Sequence, residues 1–211
     1  MKLPFDFLDV PRLLPLVDNE LELVEPAARH LEALLAACHH PLTQRDMPAQ
    51  AQTTRESIQT FLNQNPRGHT PADTLHGIAP GYTFWMKIRH EQLPLPPLRN
   101  RAVLDVDIAG SISLRIGHSP NLDFYLGHIG YHVLPPARGH RFAERACRLL
   151  LPLARHHGHT ALYITCNPDN LGSRTTCERL GATYLNTLPV PKENSLYSQG
   201  DRQKLRYRLD L

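Results

Sequence analysis

The sequence has no closely spaced pair of cysteines, no run of lysine and arginine, no apolar stretch of membrane-spanning length and no internal repeat. Each absence excludes something. The four cysteines, Cys38, Cys147, Cys166 and Cys177, include no C-x-x-C pair. A chain of 211 residues does not need a disulfide framework, so they read as free thiols of a reducing compartment. The basic residues are scattered and not interleaved with aromatics, which speaks against a nucleic-acid groove. The opening MKLPFDFLDVPRLL carries acids and prolines before any apolar run, unlike a signal peptide, and nothing later is long enough to span a bilayer. A cytoplasmic protein is expected, with neither membrane nor nucleic acid as a partner.

What is present has a globular balance: 41% hydrophobic and 20% charged residues, enough for one domain with a real core over residues 1–211. The net charge of +3 accommodates an anionic small ligand without demanding one. Nineteen prolines exceed the usual ~5% and gather at Pro94, Pro96 and Pro97, at Pro135 and Pro136, and at Pro189 and Pro191, marking loops.

Periodicity then orders the elements. LELVEP (21–26) reads as a strand. Ala28, Leu31, Leu34, Leu35 and Cys38 fall on one helical face. Thr53 and Glu56 have capping-box spacing at the head of a second helix with Ile58, Phe61 and Leu62 inward. Residues 64–80 read as a loop. YTFWMKIR (82–89), the alternating stretch within 102–117 and HIGYHVL (128–134) read as strands, with Gly110 marking a bulge. The helix after Arg138 carries Ala143, Ala146, Leu150 and Leu153, and Pro152 predicts a kink or an end near Leu151. ALYITC (161–166) reads as a buried central strand, and a helix from about Asp169 to Leu180 stops at Gly181. Strands at 182–188 and 203–211 follow. The sum is an α/β fold, with a mixed sheet, hairpin-joined antiparallel strands and a right-handed crossover between 128 and 166.

One segment, GHIGYHVLPPARGHRFAERA (127–146), concentrates positive charge at a helix start. Arg138, Gly139, His140 and Arg141 there oppose the helix dipole unless an anion occupies that end. A strand, a turn and a helix N-terminus with free N–H groups form a phosphate cradle.

RGHRFA and the later ITCNPDNLGSRTTCERLGA, with the element order, resemble the GNAT superfamily of N-acetyltransferases over about residues 80–211. Arg138 and Ala143 fill the first and last positions of that family's phosphate loop. Asn170 and Ser173 fill its later helix, and Glu178 and Gly181 its end. The resemblance implies a mostly antiparallel sheet with one parallel splayed strand pair, and acetyl-CoA as cosubstrate between those strands. The pyrophosphate would lie on residues Arg138, Gly139, His140, Arg141, Phe142 and Ala143. The pantetheine would pair with the backbone near Val133 and Leu134 and touch Asn170 and Ser173. Residues 1–80 would face the acceptor, a small-molecule or peptide amine. Phe84, Trp85 and the LPLPPL loop would wall its pocket.

Two residues depart from the family. Arg141 stands where the loop has its central glycine, and is expected in a helical conformation with its side chain gripping phosphate. Cys177 stands where a tyrosine acid is common, and is read either as a thiol acid or as a small buried space-filler. His128 and His132, on one strand face, are candidate bases, with Tyr131 on the other. If Cys177 only fills space, water, Tyr163 or Tyr184 must protonate the leaving group. HHGH (156–159) lacks a carboxylate or cysteine at ligand spacing and reads as a solvated helix end, so no metal is expected. The rival functions are a CoA-binding protein without transferase activity and, on basicity alone, a nucleic-acid-binding domain. A homodimer is left open.

Overall fold

A computed structural model describes residues 16–70, 79–92 and 104–211. The LPLPPL loop (93–98) and the middle of the loop expected over 64–80 lie outside the described residues. Strand β1 (Leu21–Val24) is followed by three helices, α1 (Leu31–His39), α2 (Pro41–Asp46) and α3 (Arg55–Gln64). Periodicity missed α2, which is too short to show a repeat. Pro41 starts it with a preset φ, and His40 caps it, its Nδ1 accepting from the Leu42 N–H at 3.1 Å. The capping box of α3 lies one residue later than Thr53 and Glu56. Thr54 is the N-cap and Ser57 its reciprocal partner, each bond 3.1 Å long.

The remaining elements form two sheets. In the first, β1, β3 (Gly81–Ile88), β4 (Ile108–Arg115) and β5 (Ile129–Val133) pair in that order, all antiparallel, with β2 (His69–Thr70) also on β3. Helix α4 (Phe142–His156) leads to β6 (Ala161–Cys166), α5 (Leu171–Leu180), β7 (Thr183–Pro189), the single turn α6 (Ser195–Ser198) and β8 (Gln203–Asp210). These last strands make a second antiparallel sheet in the order β6-β8-β7.

The fold class is thus the expected one, and the two strands expected to splay, β5 and β6, part so that the sheet is divided there. At the base of that gap the His128 N–H donates to the Tyr163 carbonyl at 2.7 Å, and the Tyr163 N–H donates to His128 Nδ1 at 2.9 Å. No ladder continues from there. Strand β6 therefore has one bonded neighbour, and its burial alternates along the strand instead of being complete.

Each face of the first sheet buries its own partner. Tyr82, Phe84, Met86, Ile112 and Leu114 pack with Phe142, Ala146 and Leu150 of α4. Trp85 and Ile108 pack with Leu31 of α1 and Ile58 of α3. Helix α4 runs through Pro152 to His156 instead of ending at Leu151. Pro152 is exposed, while Leu153 and Ala154 beyond it are fully buried. Burying such side chains, ~1.5–3 kcal/mol for a leucine, offsets a proline cost of ~3 kcal/mol. The bulge expected at Gly110 is present: Gly110 faces Met86 and Ile108 faces Lys87, leaving Ala109 unopposed. Gly110 has φ 149, and a Cβ there would meet the His132 carbonyl oxygen at 2.0 Å, so glycine is required. No helix among the described residues is long and apolar enough to cross a membrane.

Candidate functional site

The chain after β5 becomes helical only at Phe142. Pro135–Ala137 form a 3-10 turn, Arg138 is extended, and Gly139 has φ 85. The charge expected on the first helical turn therefore lies on the loop that feeds it. No side chain caps α4, so the N–H groups of its first turn lack both intrahelical and capping acceptors.

Arg141 differs most from expectation. Its backbone is left-handed, φ 61 and ψ 24, the conformation glycine adopts freely. Its guanidinium turns back onto Glu144, with Nε–Oε2 and Nη2–Oε1 both 2.8 Å. Burial works against the Glu144 carboxylate, but Arg141 and Arg148 outweigh it and hold that carboxyl below its usual range. The side chain expected to grip phosphate is thus engaged within the helix's own first turn.

A cleft of about 740 Å³ opens between β5 and the N-terminal ends of α4 and α5. Tyr131 and Val133 line it from β5. Arg138, Gly139 and Arg141 line it from the loop, Phe142 and Ala143 from α4, and Asn170 and Ser173 from α5. These residues, distant in sequence, are the ones expected to hold a nucleotide thioester. The cleft suits such a group: it pairs an uncapped helix start with the Arg138 and Arg179 guanidiniums. Leu134 and His140 do not line it. Leu134 is fully buried, and His140 is buried with its ring stacked 5.6 Å from Phe142.

Ladder alternation sets the backbone of this wall. The Leu134 N–H donates to Ala109, and the His128 carbonyl accepts from Arg115, each at 2.8 Å. Even-numbered residues of β5 thus bond to β4, and the N–H groups of Tyr131 and Val133 point into the gap. Arg138 Nε donates to the Val133 carbonyl at 3.2 Å, which ties the loop to the strand. Asn170 caps α5, its Oδ1 accepting from the Ser173 N–H at 3.0 Å. The Tyr131 hydroxyl lies 2.7 Å from Ser173 Oγ, and burial pushes its pKa far up, so it stays protonated.

The other expected catalytic residues lie elsewhere. Cys177 is fully buried and absent from the cleft wall, and burial pushes its thiol up to about 12. Tyr184 is exposed on β7, its hydroxyl 2.8 Å from Thr187 Oγ1. His128 is fully buried, its Nδ1 accepting from Tyr163 and its Nε2 donating to the Gly117 carbonyl at 3.0 Å. Burial, and then His159, push its pKa down to about 4. His128, His118 and His159 bring ring nitrogens within 4.8 Å of one another. With Nδ1 accepting and Nε2 donating, however, His128 has no lone pair left for a cation. The HHGH motif is not a solvated helix end. His157 and His159 are buried, and His157 lies 2.8 Å from the Tyr82 hydroxyl. The nearness of His159 to His118 and His128 comes from the fold, so no local spacing announced it.

A second cavity, about 220 Å³, lies on the α3 side of the sheet, lined by Leu34, Gln50, Ser57, Ile58, Phe61, Trp85, Ser111 and His132. Of the two aromatics expected to wall a pocket, Trp85 does and Phe84 belongs to the core. His132 lines this cavity and the larger cleft alike. Its Nε2 is buried with no hydrogen-bond partner among the described residues. The available sequence signal was its place four residues after His128 on one strand face. That signal did not separate the two histidines.

The family model described as an acetyltransferase (GNAT) domain matches residues 20–183. No curated protein matches the chain. Among solved structures, the chain is similar to the microcin self-immunity acetyltransferase MccE in complex with acetyl-CoA and AMP. That match has TM-score 0.62 and 18% identity, covering 92% of this chain and 94% of that one. A putative ribosomal-protein-serine acetyltransferase from Vibrio cholerae matches with TM-score 0.61 and 16% identity, over 94% and 99% of the two chains. RimL, a ribosomal alpha-N-protein acetyltransferase in complex with coenzyme A, matches with TM-score 0.59 and 18% identity, over 92% and 96%. At such identities the likeness is one of fold.

Proposed function

Because the chain belongs to the GNAT acetyltransferase family, we propose that it transfers the acetyl group of acetyl-CoA to a primary amine by direct attack in a ternary complex. The observation that carries this reading is His132, a half-buried imidazole whose buried Nε2 has no partner among the described residues and which borders both the large cleft and the smaller cavity. The cleft suits the thioester and the cavity suits the amine. Acetyl-CoA supplies the activated acyl group.

Each demand of the reaction then has a residue. An ammonium group must lose a proton before it attacks. Burial, and then the Arg138 charge, hold His132 below its usual pKa, so its imidazole is neutral near pH 7 and accepts that proton. The Val133 N–H, directed into the gap, donates to the carbonyl oxygen as negative charge grows there. Protonated His132, which borders the cleft as well, gives one proton to the departing sulfur, and the second proton lost by the nitrogen passes to solvent. The Tyr131 hydroxyl keeps its own proton and remains a hydrogen-bond donor in the same wall. Arg138 and the first N–H groups of α4 hold the pyrophosphate. The four free cysteines are all buried and fit a reducing, cytoplasmic setting.

Calorimetric titration with acetyl-CoA and with CoA, followed by thiol release over a panel of amines, tests the reading. Micromolar binding with amine-dependent thiol release is expected. Binding without release from any amine would favour a CoA-binding protein, and absence of binding would overturn the cleft assignment.

A further inference from the structure

The sheet face that presents His132 also presents an arginine, Arg115, that has no counterion among the described residues. Register places Trp85, Ser111 and His132 in one cross-strand row and Thr83, Ser113 and Gly130 in the next. Arg115 ends β4 on the same face, two residues beyond Ser113. Its Nη1 donates to the Gly127 carbonyl at 3.1 Å. A Cβ on Gly130 would come within 3.2 Å of Nη1, of Nη2 and of Ser113 Oγ, so the guanidinium lies directly over that glycine.

Among the described residues no carboxylate pairs with this guanidinium. The nearby Asp123 is 3.1 Å from His118 Nδ1 instead. Burial lowers the Arg115 pKa, and no acidic group opposes it. Arg115 borders a cavity of about 340 Å³ whose other polar walls include Thr70, Thr83, Ser113, Ser119, Asn121 and Ser195, with no charged side chain among its other lining residues. These polar groups are neutral hydroxyls or an amide. Thr83 also lines the His132 cavity, so the two spaces adjoin on one face. A partly desolvated cation whose neighbours are all neutral keeps an uncompensated charge, and its planar fork matches a carboxylate.

We propose that the acceptor carries a carboxylate, held by Arg115 while its amine faces His132. This rests on the amine-transfer reading above. The guanidinium over Gly130 and the imidazole of His132 are one i, i+2 strand step apart, roughly 7 Å. Each end of the acceptor adds a hydrogen bond of roughly 2.8 Å, so a short amino acid or a bent dipeptide bridges that separation. Arg115 is accordingly a specificity residue and not a catalytic one.

The test is calorimetry on the full chain, with and without CoA, using glycylglycine, glycylglycinamide and phosphoethanolamine as probes. Glycylglycine should bind at least tenfold more tightly than its amide, and Arg115→Gln should abolish that preference while acetyl-CoA affinity stays unchanged. Arg115→Lys, which keeps the charge and loses the fork, should retain part of it. The comparison of dipeptide with amide on the unaltered protein needs no variant to fold. Equal or undetectable binding of dipeptide and amide would overturn the proposal, as would a preference that survives Arg115→Gln. Tighter binding of phosphoethanolamine would assign the site to phosphate and overturn the carboxylate. Dipeptide preference without thiol release would overturn amine transfer and leave the Arg115 site standing. Thiol release from neutral amines without that preference would do the reverse.

Discussion

Arg141 grips Glu144 three residues ahead with two hydrogen bonds of 2.8 Å, while its own backbone is left-handed at φ 61. The pair ties the strained residue to the helix it precedes. Both Arg141→Gly and Arg141→Ala lose the pair, but only glycine removes the backbone strain. Arg141→Gly should be the more stable of the two by about 1 kcal/mol in urea unfolding. Equal stability would mean that the left-handed conformation costs nothing here.

Arg138 lines the cleft, and among the described residues its hydrogen-bond partners are the Val133 carbonyl and Met47 Sδ. Arg138→Ala should weaken acetyl-CoA binding about tenfold or more, the scale of one charge-assisted hydrogen bond. Calorimetry on a correctly folded variant checks this, and unchanged affinity would remove Arg138 from the phosphate site.

His132→Ala should lower kcat by about 10²-fold or more while leaving acetyl-CoA affinity nearly intact. Its folded pKa is below 6.5, so the neutral base is lost only as pH falls through that lower value. The acid limb of kcat/KM should therefore lie below pH 6.5 and disappear in the variant. A limb that persists unchanged belongs to another group.

Cys177→Ala should turn over within about twofold of the unaltered enzyme, because the thiol is buried outside the cleft wall and burial holds its proton tightly. A loss of 10²-fold or more with the fold intact would restore the thiol acid.

Stability should decline between pH 6.5 and about 4. His128 and His157 both have folded pKa values of about 4, lowered chiefly by burial, against 6.5 unfolded. Above pH 6.5 both states are neutral at these sites. Below it the unfolded chain takes up protons that the folded one refuses, so folding weakens as pH falls. A full shift of this size on buried His128 is worth on the order of 3 kcal/mol. Urea midpoints across that range in a His128→Gln variant should show a shallower decline.

Much of the fold was legible because its signals are local. The apolar set of α4, the Gly181 stop of α5 and the alternation in β4 depend on neighbours within one or two turns, and they read correctly. Helix α2 escaped because six residues are too few for a period. The helical expectation for Arg141 failed where the left-handed turn into α4, held by the Glu144 pair, outweighed a backbone preference worth only ~1–2 kcal/mol.

The sequence by itself determined most of the longer elements and the loop that feeds α4. Periodicity, capping and the strand–turn–helix order are short-range properties of a chain. Only the tertiary structure decided which histidine borders both cavities. His128 and His132 share a strand face, but His128 is fastened to Tyr163 where β5 meets β6, and His132 lies past the point where the strands part. The same long-range packing left Arg115 over Gly130 without a carboxylate, closed Cys177 into the core and brought three separated histidines together. Such placements depend on contacts between segments far apart in the chain, and no local pattern encodes them.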